Sequence, residues 1–328
     1  MHKIPFIDIS TFDSPDPLER KRIAREWDEA FRTWGFGMIT GHGVSNELME
    51  EIHDAGLKFF DRPMEEKKRF TFPGAPRSQG FVPIGSEVIA ATVDKVSPHD
   101  VCESLTFSSM HWDDQPSPDE FDRSTHRANL WPTDDRNFRQ LVTRYHSELY
   151  KLVGKLMRIS ALALDLEEDY FAKYFDRMTT NLRFVDYPHQ TVAPLKGQLR
   201  YGAHTDFGGL TILRQDSAPG GLEVLGPDKK WVEVTPRPGT FVVNTGDMIQ
   251  RWSNDRWLSN VHRVTNPPLN ASSSTRRLSV VFFSQPNNDA EICALPSCVE
   301  PGKVGKYPPV KAYDHLMAKI RKSIPKDL

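Results

Sequence analysis

The sequence predicts a mainly β protein, a sandwich, jelly roll or barrel, with α-helices packed outside it. Two observations carry that prediction. In the second half, short β-rich runs alternate with turn formers: "LRFVDYP", "AHTDFGGLTIL", "GLEVLG", "WVEVTP", "TFVVNTG", "NVHRVTNP" and "RRLSVVFFSQP". Repeated short strands with Gly, Pro, Asn and Asp between them suit a closed or two-layered sheet. In the first half, apolar residues recur at helical spacing, and helices of that kind need something flat to cover.

The helices follow in order. From Leu18 to Trp34, the residues Ile23, Trp27, Phe31 and Trp34 form one apolar stripe among charged neighbours. A short strand in "GFGMITGHGV" leads to a glycine-bounded turn, after which Ser45 is placed to cap a second helix through Leu48, Ile52 and Phe59. "MEEKKRF" is helical and charged. Residues 73–135 are rich in Pro, Gly, Ser and Asp and are expected to be loops and small strands, not a separate domain. Phe138 to Ile159 then trace one face of a long helix, and "EEDYFAKYF" predicts a shorter one.

A chain of 328 residues with 38% hydrophobic residues and a formal net charge of −2 gives no reason to expect nucleic acid or a membrane surface as partner. "MHKIPFIDIS" lacks a long apolar core, and no stretch approaches the roughly 20 apolar residues that cross a bilayer. The three cysteines, Cys102, Cys293 and Cys298, form neither an even disulfide set nor a CxxC pair, so a reducing compartment, the cytoplasm, is expected.

Chemistry concentrates in "YGAHTDFGGLTIL". On a strand, side chains i and i+2 share a face, so His204 and Asp206 can converge on one ion while Thr205 points away. Two ligands from one segment hold a transition metal poorly, and His262 in "SNVHRVTNP" supplies a third. Two imidazoles and one carboxylate leave positions open for a co-substrate and dioxygen, the arrangement associated with non-haem Fe(II) oxygenases. Among eleven histidines an isolated HxD pair is more often explained by surface hydrogen bonding than by a metal. His111, followed by Asp113 in "HWDDQPSPDE", sits in too polar and proline-rich a run to be a core strand. In "TRRLSVVFF", Arg277 and Ser279 repeat the i, i+2 geometry; together they would bind a carboxylate, either a ligand's or that of a protein Asp or Glu.

Together these residues resemble the isopenicillin N synthase-like branch of the iron(II)/2-oxoglutarate-dependent dioxygenases. The resemblance runs through "HTD", through "SNVHRV" preceded by "NTGDMIQRWSN", and through Arg277-Leu278-Ser279. The "Tyr-Pro" ending of "LRFVDYP" and the amino-terminal "IPFIDIS" and "WGFGMITGHGV" extend it. It implies iron ligands His204, Asp206 and His262, and a 2-oxoglutarate site at Arg277 and Ser279 with Tyr187 as a further contact. Substrate contacts would come from Arg77 and Phe81 in the early loop "PRSQGFVP", from Tyr201, and from Phe283. Val185 and Asp186 stand where plant members usually carry Asn and Tyr, and "PPLNASSST" lengthens the run from His262 to Arg277.

The fold implied is a double-stranded β-helix, a jelly roll with an outer helical layer. One catalytic domain is expected: family region 1–72, variable loops 73–135, helices 136–176, jelly-roll core 177–290 and a C-terminal extension 291–328. The implied activity is oxidation of an unactivated C–H bond of a small molecule, amino-acid-derived or a specialised metabolite, by hydroxylation, desaturation or ring closure. Fe(II), 2-oxoglutarate and O2 would take part, with ascorbate as a candidate stimulant, and succinate and CO2 would be co-products. Two alternatives stand beside it: an Fe(II) oxidase of the same fold that uses no 2-oxoglutarate, and a non-catalytic jelly-roll binding protein.

Overall fold

Each long helix starts where the sequence offers a capping oxygen. In the computed structural model, which describes residues 3–72, 79–93, 97–110, 113, 117, 120, 122, 128–132 and 134–323, Asp16 accepts from the Leu18 amide at 2.8 Å to open α1 (Pro17–Thr33). Ser45 accepts from the Leu48 amide at 3.2 Å to open α2 (Asn46–Phe60). "MEEKKRF" gives only the short α3 (Met64–Lys67) and a 3-10 turn after it. Asp135 caps α4 (Arg136–Ala163), accepting from Phe138 N at 2.9 Å. The apolar stripe of α4, including Val142, Leu149, Leu152, Val153 and Leu156, is buried. The helix expected in "EEDYFAKYF" is reduced to the four residues of α5 (Ala172–Phe175).

The strands are β1 (Phe6–Asp8), β2 (Phe36–Thr40), β3 (Gly80–Val82), β4 (Glu103–Ser108), β5 (Thr179–Tyr187), β6 (Tyr201–His204) and β7 (Leu210–Arg214). They continue with β8 (Leu222–Leu225), β9 (Trp231–Glu233), β10 (Phe241–Thr245), β11 (His262–Val264), β12 (Arg277–Gln285) and the small pair β13 (Glu291–Ile292) and β14 (Val310–Lys311). An eight-stranded sheet runs β1-β2-β10-β7-β12-β5-β4-β3, and a four-stranded sheet runs β6-β11-β8-β9. Among the described residues, β1 and β2 pair in parallel and the other strand pairings are antiparallel. The two sheets are the layers of the jelly roll.

The larger sheet reaches beyond residues 177–290, because β1 to β4 add to both of its edges. In β2 four of the five residues in "FGMIT" are buried, which suits an interior strand flanked by β1 and β10.

Strand alternation gives this sheet two different faces. On β12, Leu278, Val280 and Phe282 join Leu182 and Phe184 of β5 in the core beneath the helices. Arg277, Ser279, Val281, Phe283 and Gln285 face the other way, into the space between the sheets. The helical layer sits close: a Cβ on Gly56 of α2 would come within 2.7 Å of Leu278 and 2.8 Å of Phe184. Glycine is what lets α2 lie this near the sheet.

"AHTDFGGLTIL" is not one strand. β6 ends at His204 in the smaller sheet, and β7 begins at Leu210 in the larger one. Residues 205–209 cross between the layers; the two glycines Gly208 and Gly209 lie in this crossing, where Gly209 N donates to Ser284 O at 3.0 Å.

Candidate active site

His204 and His262 face each other directly across β6 and β11, one residue before an irregularity in that pairing. Their ring centroids lie 4.2 Å apart. Asp206 reaches them from the crossover, its Oδ1 lying 3.7 Å from the Nε2 of each histidine. One ligand atom from each of the three lies within 4.8 Å of the others, and all three residues are buried. Asp206 thus shares a site with His204 because the chain leaves the sheet, where a continuing strand would have set the i, i+2 geometry.

Hydrogen bonds leave the ligand atoms free on the inner side. Nδ1 of His204 meets Gly202 O at 2.9 Å, and Nδ1 of His262 meets Asn260 O at 3.1 Å. A carbonyl can only accept, so each Nδ1 carries a proton and each Nε2 is the atom turned toward the centre. Burial, with His262 beside it, pushes the His204 imidazolium down to about 3, so the ring is neutral. Burial works to raise the Asp206 carboxyl, but the His262 and His204 rings and hydrogen bonds outweigh it and hold the group below its ordinary range. Those bonds come from Thr211 Oγ1 and Asn244 Nδ2, both to Oδ2 at 2.6 Å, leaving Oδ1 for the centre. Two imidazoles and one carboxylate with converging ligand atoms fit Fe(II).

The triad lies between the sheets in a pocket with about 1160 Å³ of empty space, mouth included. Arg277, Ser279 and Tyr187 line its wall; Arg277 and Tyr187 are paired across β12 and β5. The Arg277 guanidinium is 1% exposed, and its bonds go to neutral oxygens: Asp216 O, Ala218 O at 3.3 Å and Gln215 Oε1 at 3.1 Å. Among the described residues its buried Nε has no partner and no carboxylate forms an ion pair with it. The Asp216 carboxylate is turned away, to His53 Nε2 at 3.0 Å and to the amides of Ala218 and Leu278. The open alternative from sequence, a protein Asp or Glu as partner of this arginine, is therefore not realised among the described residues. A buried cation without a counter-ion fits the carboxylate of a ligand.

Of the substrate residues expected from sequence, Tyr201 and Phe283 line the pocket. Phe81 does not. It is 1% exposed in the core, with its ring 6.3 Å from that of Phe59 and Lys67 Nζ 5.6 Å above it, because alternation on β3 turns it toward the helices. Arg77 and His111 lie outside the described residues.

Several lining residues escaped the sequence: Asn181 and Arg183 on β5, Gln285 on β12, Ile89 in the 3-10 turn Ile89–Val93, and Leu316 and Ile320. The last two lie on α7 (Ala312–Ser323), since the short helix α6 (Asp247–Trp252) precedes it in the chain. Their i, i+4 spacing was the available signal. Thr211 and Asn244 carried none, because their role depends on β7 and β10 pairing.

The comparisons with known proteins agree with this geometry. Residues 173–286 match the model of the 2OG-Fe(II) oxygenase superfamily, and residues 4–134 match the model described as the non-haem dioxygenase in morphine synthesis N-terminal region. A 2-oxoglutarate-Fe(II) type oxidoreductase, hxnY of Emericella nidulans, is 32% identical over 97% of this chain and 90% of its own length. The chain belongs to the 2OG-Fe(II) oxygenase superfamily. Among solved structures, a full-length Neurospora crassa protein in complex with alpha-KG and thymine superposes with a TM-score of 0.84 at 29% identity, covering 97% of this chain and 96% of that one. JOX2 in complex with 2OG, Fe and JA gives 0.77 at 30% identity, covering 99% and 87%. This member of the superfamily is accordingly an oxidoreductase that uses Fe(II) and 2-oxoglutarate on a small-molecule substrate, in a double-stranded β-helix.

Proposed function

We propose that His204 and His262, through Nε2, and Asp206, through Oδ1, hold the iron, and that Arg277 and Ser279 with Tyr187 beside them hold the far carboxylate of 2-oxoglutarate. The observation that carries this reading is the pairing of a three-ligand cluster with Arg277, a buried guanidinium that has no carboxylate partner among the described residues, on the wall of the same pocket. The bound metal, with 2-oxoglutarate and dioxygen, supplies the oxidising chemistry, and succinate and CO2 are the co-products.

What the chain does is position and protect. The carbonyls of Gly202 and Asn260 fix both imidazole tautomers. Thr211 and Asn244 fix the Asp206 carboxylate. Apolar Val281, Phe283, Leu213 and Leu222 line much of the pocket and give bound substrate an apolar wall. Hydroxylation of an unactivated C–H bond is the default outcome, with desaturation or ring closure set by how the substrate lies.

Amino-acid-derived compounds and specialised metabolites are the substrate classes we infer, in a biosynthetic role; the small size of thymine and JA, named for the two structural neighbours, supports a compound of that scale. Three free cysteines support a reducing, cytoplasmic setting. Substrate-stimulated conversion of 2-oxoglutarate to succinate, followed under Fe(II) and ascorbate, tests the reading. Product formed without any 2-oxoglutarate consumption would overturn the co-substrate half of it.

A further inference from the structure

Arg183 lies on β5 opposite Val281 of β12 and Thr106 of β4, on the pocket face. It is four positions from Tyr187, about 13 Å along the strand from the co-substrate end. Its Nη2 donates to the Glu87 carboxylate and to Ser104 Oγ at 3.0 Å, and its Nη1 to Tyr201 OH at 3.4 Å. The Tyr201 ring in turn lies 5.0 Å, edge to face, from that of His204. Nε of Arg183 is buried and has no partner among the described residues. A residue of the pocket wall, linked to His204 through Tyr201, thus carries a buried N–H donor that lacks an acceptor among the described residues.

Charge decides which acceptor. Arg277 has no counter-ion among the described residues and suits a carboxylate, whereas Glu87 already cancels the charge of Arg183. A second carboxylate would leave an uncompensated negative charge in a largely apolar pocket. A neutral carbonyl oxygen satisfies Nε without adding charge. Asn181, two residues along the same face, adds both a donor and an acceptor, the complement of an adjacent N–H and C=O. Phe283 and Leu316 offer the apolar surface for a flat body.

We propose that the Arg183–Glu87 pair selects substrates bearing an uncharged amide- or lactam-type carbonyl and turns away carboxylates; this rests on the assignment of the iron and 2-oxoglutarate sites above.

The test is calorimetry on the anaerobic enzyme loaded with Fe(II) and 2-oxoglutarate, titrated with 2-quinolone, a flat lactam, and with 2-naphthoate, an anion of similar size. The wild type is expected to bind the lactam at least about tenfold more tightly than the anion. Glu87→Gln leaves the guanidinium charge uncompensated and is expected to invert that order. Arg183→Met is expected to abolish the lactam preference, and Glu87→Gln decides if that variant fails to fold. A wild type that favours 2-naphthoate or does not bind 2-quinolone, or a Glu87→Gln variant that keeps the wild-type order, overturns the proposal. Loading is itself read from the 2-oxoglutarate isotherm: failure there sinks the site assignment, while loading without lactam binding sinks only the role of Arg183.

Discussion

Thr211 and Asn244 sit opposite each other on β7 and β10, and both donate to the same oxygen of Asp206 at 2.6 Å. The larger sheet thereby holds a ligand whose two partner histidines belong to the smaller one. The ligand set bridges both layers, and its rigidity depends on both.

Removing one of those donors should loosen the metal without unfolding the protein. Asn244→Ala is expected to weaken Fe(II) binding by about 10- to 100-fold, the usual cost of losing a group that orients a ligand. Anaerobic metal titration measures it, and wild-type affinity in the variant would show that Asn244 is dispensable. Thr211→Val should behave alike, since it also deletes a donor to Oδ2.

Asp206→Ala removes the one carboxylate of the cluster. Fe(II)-dependent oxygen consumption should disappear while the thermal transition of the metal-free protein persists. Turnover equal to wild type would defeat the oxygenase assignment of this site.

Arg277→Gln keeps part of the polar contact and deletes the charge. A charge-assisted hydrogen bond contributes about 1.5–3 kcal/mol, so the KM for 2-oxoglutarate should rise by roughly tenfold or more. Steady-state kinetics at saturating Fe(II) give the answer, and an unchanged KM would place the far carboxylate elsewhere.

Leu316→Ala shortens a side chain that α7 contributes to the pocket. It should raise the KM for substrate and leave that for 2-oxoglutarate near wild type, because Arg277 and Ser279 lie on β12. A parallel rise in both constants would mean that α7 acts on the whole fold.

Acidification should erode the stability that Asp216, in the loop that clamps Arg277, contributes. Burial works to raise the Asp216 carboxyl, but hydrogen bonds from His53 and from the Ala218 and Leu278 amides hold it well below the usual carboxylate range. A folded pKa below the unfolded one means that the unfolded chain binds the extra proton. The stabilisation is therefore present above the ordinary carboxylate pKa of about 4 and is lost as pH falls below it. Chemical denaturation of wild type and Asp216→Asn across that range should show the gap in stability closing toward low pH. A gap independent of pH would deny the linkage.

The sequence by itself determined the elements governed by local rules. Ser45 starts α2 as its side-chain oxygen predicts, and the apolar stripes of α1, α2 and α4 mark their buried faces. It also determined the residue types of the ligand set and of the Arg277–Ser279 pair, because i, i+2 spacing on β12 puts both side chains on one face. Only the tertiary structure decided that Asp206 lies beyond β6 on a crossover between sheets, that Phe81 turns into the core, and that no carboxylate among the described residues meets Arg277. It alone brought Thr211 and Asn244 to Asp206, Glu87 to Arg183, and α7 to the pocket wall. The reason is range: caps and alternation act over a few residues, whereas the charge state and partners of a buried group are set by strands and loops far away in the chain.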